Sequence, residues 1–195
     1  MQIDRRKFFD HARETVFRGQ LTQEQVDGCL ALLNEAERRN VTDLRHIAYI
    51  LATTYHETAH TMQPIREYGR GRGRRYGIPD KTTGHVYYGR GYVQLTWASN
   101  YKKMGAILNI PLYENPDLAL SHNVAAQIIF EGMLKAESFR GDFTGRSLED
   151  YFNDRVTDWR NARKIVNGLD KAGLIGEYGK HFYRALLHAT GYWNK

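Results

Sequence analysis

Residues 55–69 read YHETAHTMQPIREYG, from Tyr55 to Gly69. The stretch contains an H-E-x-x-H pattern, with His56 and His60 spaced as two zinc ligands and Glu57 placed as a water-activating glutamate. It also holds two glutamates, Glu57 and Glu67, ten positions apart with Pro64 between them. A zinc site needs both histidines on one helix face and a third ligand. The longer zinc pattern, with a glycine and a third histidine downstream, is absent, because Met62, Gln63 and Pro64 follow. His85 or Glu67 could serve as a ligand, but no spacing marks either. The better reading has no metal: His56 packs behind Glu57, and His60 sits at a helix end where a positive ring suits the dipole. No cofactor is expected.

An acid–base pair makes a different demand. Glycoside hydrolysis needs one carboxylic acid to protonate the leaving oxygen and a second carboxylate on the opposite face. In inverting enzymes the two lie about 6.5–9.5 Å apart, leaving room for a water. A continuous helix over 57–67 would separate Glu57 and Glu67 by about 15 Å at 1.5 Å per residue. Pro64 breaks such a helix and lets the chain fold back. Glu57, on a helix beside Tyr55 and apolar neighbours, is expected to be the acid, and Glu67, among glycines and arginines, the base. Taken alone, two nearby glutamates are better read as solvated surface acids, so the surrounding chain has to decide.

The 195 residues, 42% hydrophobic, suffice for one domain with a sizeable core. The expectation is a single catalytic domain over residues 1–195, monomeric, with no separate binding module. No run of about 18 apolar residues would span a membrane, and MQIDRRKFFDHARETVF lacks the apolar stretch of a secretory signal. Cys29 is the single cysteine and reads as a small apolar helix residue. These features suit synthesis in a reducing cytoplasm. The net charge of +6 and pI of about 9.4 favour polyanions: nucleic acid, anionic lipid or an acidic wall polymer. Signatures of nucleic-acid modules are missing, so neither nucleic acid nor integral membrane contact is expected.

Apolar spacing predicts a helix over 3–18 ended by Gly19, and a second one capped by Thr22 with Gln25 as its capping-box partner. Glu35 and Arg39 form a favourable pair four residues apart on that helix. Thr42 is expected to cap a third helix running to about His60, with Leu44, Ile47, Ala48 and Leu51 on its buried face. Residues 66–92, rich in glycine, arginine and aromatics, predict an irregular segment or small hairpins; such a stretch within a compact domain is more often functional than idle. Helices are expected again over 97–108, 121–138, 147–153, 158–167 and 173–189, with GDFTG at 141–145 as a connection. The last of them, YGKHFYRALLHATGYW, is amphipathic and cationic and reads first as a packing helix.

The segment YYGRGYVQLTWASNY, Tyr87 to Tyr101, combines a Gly-Arg-Gly turn with short polar side chains around Trp97. Y-G-R-G-x-x-Q-L-T-x-x-x-N-Y after a helical H-E-T resembles glycoside hydrolase family 19, the chitinases of plants and bacteria and related phage endolysins. The likeness runs from Ala52 to Tyr101 and returns in NPDLAL at 115–120 and RKIVNGLD at 163–170. It implies a mainly α, lysozyme-like bilobed domain, with a small irregular or hairpin region lining a central cleft. It implies Glu57 as general acid, Glu67 as general base, and Thr96 as the hydroxyl that holds the attacking water with Glu67. Gln94, Asn100 and Asn167 would bind sugar, with His56, Tyr88, Arg90 and Trp97 completing the substrate-binding set. The chain departs from the family pattern at Tyr92, where a proline is common, and at Ser99, where plant enzymes usually carry tyrosine.

Chitin and peptidoglycan are both β-1,4-linked and N-acetylated, so one cleft design serves either. A basic chain with no signal and no disulfide fits a phage or prophage endolysin, made in the cytoplasm and released onto the cell wall at lysis. A muramidase acting on peptidoglycan is therefore the favoured expectation, a chitinase the alternative, an H-E-x-x-H zinc protease a remote one, and a binding protein whose catalysis has lapsed the rival from another class.

Overall fold

The computed structural model describes residues 2–135 and 143–192. Among these the helices are α1 (Arg5–Thr15), α2 (Gln23–Arg38), α3 (Leu44–Glu57), α4 (Ala98–Leu108), α5 (His122–Met133) and α6 (Ala172–Thr190). Two short strands, β1 (Ile65–Arg66) and β2 (Arg90–Gly91), pair antiparallel, Ile65 opposite Gly91 and Arg66 opposite Arg90. The mainly helical architecture expected from the sequence is thus present, with its irregular segment between α3 and α4.

α3 organises the larger core. Its sequence is apolar almost all round, and a helix without a polar face has to be central. Leu44 and every residue from His46 to Tyr55 are buried. α3 packs chiefly on α6 and also on α2 and α5. The buried face of α6 carries Ile175, Gly179, Phe182 and Leu186 at helical spacing, and Gly179 lets the Trp159 ring lie directly on the helix: a Cβ there would come within 2.8 Å of it. The last helix is therefore a packing helix. Cys29 is wholly buried in α2 as an apolar filler.

Local capping works as the sequence predicts for α2. Thr22 Oγ1 accepts from the Gln25 amide at 3.3 Å, and Gln25 Oε1 accepts from the Thr22 amide at 2.9 Å. The Glu35–Arg39 pair forms at 2.6 Å, and Arg39 continues to Glu131 of α5 at 2.7 Å, so a surface-type pair becomes a tie between helices. Elsewhere the boundaries move. α1 stops at Thr15, short of the left-handed Arg18 and Gly19. Asp43, not Thr42, caps α3 by accepting from the Arg45 amide at 2.8 Å. The predicted helices over 147–153 and 158–167 are only the 3-10 segments Leu148–Asp150 and Asn161–Ile165. Asp150 and Asp158 hold them by accepting from the amides of Ser147 and Asn161. α5 ends at Met133; the end expected at 138 and part of the 141–145 connection lie outside the described residues.

The most consequential shift is at the end of α3, expected near His60 but found at Glu57. Thr58 stops the helix. Its hydroxyl donates to the Thr54 carbonyl at 2.7 Å and accepts from the Met62 amide at 3.0 Å. Ala59, His60 and Met62 then take left-handed backbone angles, with φ of 49°, 70° and 58°. Side-chain-bearing residues adopt this region at a cost, so the turn must be held from outside. α2 holds it. Gln25 Nε2 donates to the His60 carbonyl at 2.9 Å, and Gln63 Nε2 to the Glu24 carbonyl at 2.6 Å. Met62 is fully buried, and its carbonyl lies against Gly28, where a Cβ would come within 2.0 Å of it.

A second, smaller apolar cluster joins Tyr87, Leu95, Tyr101, Met104, Leu112, Ala119 and Ile128, and gives the chain its second lobe. Val93 and Phe143 pack against both clusters. Arg90 of β2 knits the smaller lobe together. Its guanidinium lies 3.6 Å above the Tyr88 ring, donates to Asp117 Oδ1 at 2.7 Å and bonds the carbonyls of Val86 and Tyr88. Asp117 also takes Arg66 of β1 at 2.9 Å.

Gly28→Ala is expected to destabilise the protein by about 1–3 kcal/mol, because the added methyl meets backbone that cannot rotate away. Thermal melts of the variant should fall by about 2–4 °C per kcal/mol for a chain of this size. An unchanged midpoint would show that the turn after Glu57 is not clamped as described.

Candidate active site

Glu57 is the last residue of α3, so the rigid central helix sets its position. Its neighbour is not the apolar wall the sequence suggests. Arg163, 3% exposed, brings Nη1 to 2.6 Å from Glu57 Oε1, out of line for a hydrogen bond but within ion-pair distance. Arg163 belongs to the 3-10 segment Asn161–Ile165, and its Nε bonds the Asp170 carbonyl at 3.3 Å. One turn further on, the Asn167 amide donates to the Arg163 carbonyl, so the segment that carries Asn167 is the one that braces Glu57. Asn167 itself is exposed, and its side-chain oxygen accepts from the Gly168 amide at 2.8 Å.

His56 is half-buried on the same turn of α3. Burial holds its pKa below the ordinary histidine value; Glu57 opposes this, while Arg163 and His60 add to it. A neutral imidazole therefore stands beside the ion pair. His60 is elsewhere. Its ring stacks on Tyr55 at 4.3 Å, and its Nε2 lies 3.4 Å from the Tyr178 hydroxyl. With α3 ended at Glu57, His56 and His60 do not share a helical face, which removes the geometry that a zinc reading requires. Among the described residues no cluster of three histidine, cysteine or acidic side chains could hold a metal ion.

Glu67 follows β1 directly. Its amide donates to the Gly89 carbonyl at 2.7 Å, and its Oε2 accepts from the Gly89 amide at 3.1 Å. Its Oε1 accepts from the Tyr76 hydroxyl at 2.8 Å. Both carboxylate oxygens are thus held by donors of the irregular segment. Glu57 is anchored to the larger cluster through α3 and Arg163, whereas Glu67 is anchored beside the smaller one through Gly89.

The Gln94–Asn100 segment carries other polar residues expected at the site. Gln94, at φ 55°, donates from Nε2 to the carbonyls of Ile65 and Gly91, tying both strands together. Thr96 Oγ1 donates to the Gln94 carbonyl at 2.7 Å, which leaves its lone pairs to accept from a water. Asn100 Nδ2 donates to the Thr96 carbonyl at 2.7 Å. Gln94, Thr96, Asn100 and Lys103 form the polar side of a cavity of about 180 Å³; Leu95, Met104 and Val166 are on its apolar side. It is smaller than the roughly 300–1,000 Å³ typical of a whole-ligand pocket, and suits one portion of an extended ligand. Neither glutamate lines it.

Trp97 is 45% exposed, and its backbone at φ 76°, ψ 135° is one that side-chain-bearing residues rarely adopt. Such strain persists only where neighbours over-determine it; the Trp97 amide bonds the Tyr87 carbonyl, and its ring lies roughly perpendicular to the Tyr76 ring with centroids 5.3 Å apart. Tyr88 and Arg90, expected to touch substrate, are both buried. Arg90 is 5% exposed with its donors committed to the fold, so it is a scaffold residue. Sequence reasoning missed Arg163 and Tyr76. Arg163 stands four residues before Asn167 within RKIVNGLD, the only hint that it belongs near the site. Tyr76 was one aromatic among several in an arginine–glycine run.

Arg163→Met is expected to cost about 3 kcal/mol, since it strands the Glu57 carboxylate against a largely buried wall. Urea unfolding measures this; a variant as stable as the parent would show that the pair contributes nothing to the fold.

The family model described as chitinase class I matches residues 35–134, just over half of the chain and inclusive of Glu57, Glu67 and Thr96. Two endochitinases of Arabidopsis thaliana are 41% and 40% identical over 88 residues, which is 43% of this chain but only 30% of each relative. The chain therefore aligns with less than a third of the length of these curated relatives. An inactive chitinase-like protein of Hevea brasiliensis is 46% identical over 41 residues, 21% of this chain and 13% of that one. The fold matches chitinase C of Streptomyces griseus with a TM-score of 0.57 at 20% identity, over 94% of this chain and 76% of that one. It matches a bacterial family 19 chitinase with a TM-score of 0.58 at 20% identity, over 94% of both chains. With a match that runs from α2 through α5 and a backbone shared with a bacterial member, the chain belongs to glycoside hydrolase family 19.

Proposed function

We propose that this chain is a glycosidase that hydrolyses β-1,4 bonds of a chitin-type N-acetylglucosamine polymer, with inversion. The observation that carries the reading is the separate anchoring of two carboxylates, Glu57 by Arg163 and Glu67 by Tyr76 and Gly89, in a chain of this family. Family membership alone is not enough, since one relative is named as inactive. Glu57 acts as the general acid. Arg163 occupies Oε1, so Oε2 is the oxygen left to serve the leaving group. Glu67 acts as the general base and draws a proton from a water on the far face of the sugar ring. Thr96 accepts a second hydrogen bond from that water and so orients it. Inversion requires the two carboxyls to stand about 6.5–9.5 Å apart across the bound sugar. Asn100 and Asn167 flank the path of the chain, and Trp97 offers an exposed ring for a sugar face. Gln94 and Arg90 serve the substrate by fixing the backbone beneath it.

The names of the relatives favour chitin, and we rank it above the peptidoglycan reading. Peptidoglycan stays as the second reading for a specific reason. Arg70, Arg72, Arg74 and Arg75 all lie exposed on the loop that follows Glu67, in a chain of net charge +6. Lactyl and peptide carboxylates along a wall polymer would meet that charge. On this reading the chain is a monomeric endolysin that reaches the wall from the cytoplasm at phage or prophage lysis.

Mass analysis of products from chitin oligomers and from purified peptidoglycan tests both. New ends at N-acetylglucosamine in chitin support the first reading, new ends at muramic acid the second, and cleavage of neither removes both. Glu57→Gln is expected to lose about 10²–10⁴-fold in turnover with its fold intact; near-parental kcat would strip Glu57 of its role. Thr96→Val is expected to lower kcat with little change in KM, and the reverse pattern would assign Thr96 to substrate binding instead.

A further inference from the structure

The loop between β1 and β2 has a closed neck. A Cβ on Gly77 would fall 1.8 Å from the Gly71 carbonyl oxygen, so the two backbones touch. Gly71 has φ 77°, and the loop bonds itself through the Arg74 amide to the Gly71 carbonyl and the Gly77 amide to the Arg74 carbonyl. Tyr76 stands at this neck, in the 3-10 turn Arg75–Gly77. Its phenol reaches Glu67 Oε1 at 2.8 Å, and its ring packs against Trp97 in a T-shaped arrangement. The loop therefore has a mechanical consequence: it delivers one O–H group to one carboxylate oxygen.

We propose that Tyr76 is the positioning residue for Glu67, holding the carboxylate in the orientation from which it draws the proton of the attacking water. This rests on the reading of Glu67 as the base. The Gly89 amide alone fixes only Oε2, and a carboxylate held at one oxygen can still swing about its Cγ–Cδ bond. The phenol fixes the other oxygen and stops that rotation. The two arginines of the strand pair, Arg66 and Arg90, are both engaged by Asp117. The hydrogen bond to Glu67 is the first cause of a raised phenol pKa, so the donor keeps its proton at neutral pH. Trp97 packs against the same ring, with centroids 5.3 Å apart.

The test is a set of variants of the full chain, assayed on whichever of chitin oligomers or peptidoglycan the parent cleaves. Tyr76→Phe keeps the ring against Trp97 and removes only the hydroxyl. It is expected to lower kcat by about 10–100-fold, the cost of a misplaced catalytic group, with KM within about twofold. Gly77→Ala, which opens the neck, should reproduce that loss. In a Glu67→Ala background, Tyr76→Phe should change the residual rate by less than about twofold, because the group it positions is gone. A merely structural tyrosine would add its full effect in that background, and that result overturns the proposal. So does a Tyr76→Phe variant with parental kcat. If Glu67→Ala itself keeps parental activity, the base assignment falls and this inference falls with it. A silent Tyr76→Phe beside an inactive Glu67→Ala rejects the positioning role alone.

Discussion

The turn that follows Glu57 is the constraint on which the rest of the structure depends. α3 is buried on all sides and would project its line straight onward if nothing stopped it. Thr58 stops it with one hydroxyl that serves two backbone groups, and three left-handed residues then reverse the chain. That reversal is unfavourable locally. It is held because α2 supplies the Gln25 side chain to the His60 carbonyl, the Glu24 carbonyl to the Gln63 side chain and a glycine surface for Met62. The H-E-T sequence therefore does two jobs: the glutamate ends on the rim of the larger core, and the threonine turns the chain toward the smaller one.

The second constraint is the use of charge within the scaffold. Arg90 and Arg66 converge on Asp117, and Arg163 reaches Glu57. Partly buried pairs of this kind add little net stability against an apolar alternative, but removing one partner is costly. Their effect is to fix geometry. Arg90 and Asp117 lock the strand pair to the segment Pro116–Leu120, which sets where Gly89 meets Glu67. Arg163 sets which oxygen of Glu57 is engaged, and burial holds the pKa of the adjacent His56 down. The Gly-rich loop, exposed and arginine-laden on its outside, is tightly closed at its base and carries Tyr76 to the other glutamate.

Helices, the capping box at Thr22 and the Glu35–Arg39 pair were legible in the sequence, because each is decided within one turn of chain. The irregular character of residues 66–92 was legible for the same reason, from glycine density. Family membership was legible from the spacing of H-E-T and Y-G-R-G-x-x-Q-L-T. The end of α3 was misplaced because Pro64 is the more visible breaker, whereas the operative one is a threonine hydroxyl whose turn is clamped by α2. The helices expected over 147–153 and 158–167 shrank to single turns because their apolar residues anchor loops to the core instead of forming a continuous stripe.

By itself, then, the sequence determined what depends on near neighbours: where helices start, which segments cannot be regular, and which side chains have chemistry to offer. Tertiary structure alone decided how that chemistry is deployed. Arg90 is consumed by the fold, and Gln94 spends its amide on two strands. His60 turns away from His56, while Arg163 and Tyr76 arrive from 106 and nine residues along the chain at Glu57 and Glu67 respectively. The physical reason is that a donor's availability depends on which acceptors the folded chain brings within about 3 Å of it, and residues so far apart in sequence carry no local mark of that meeting.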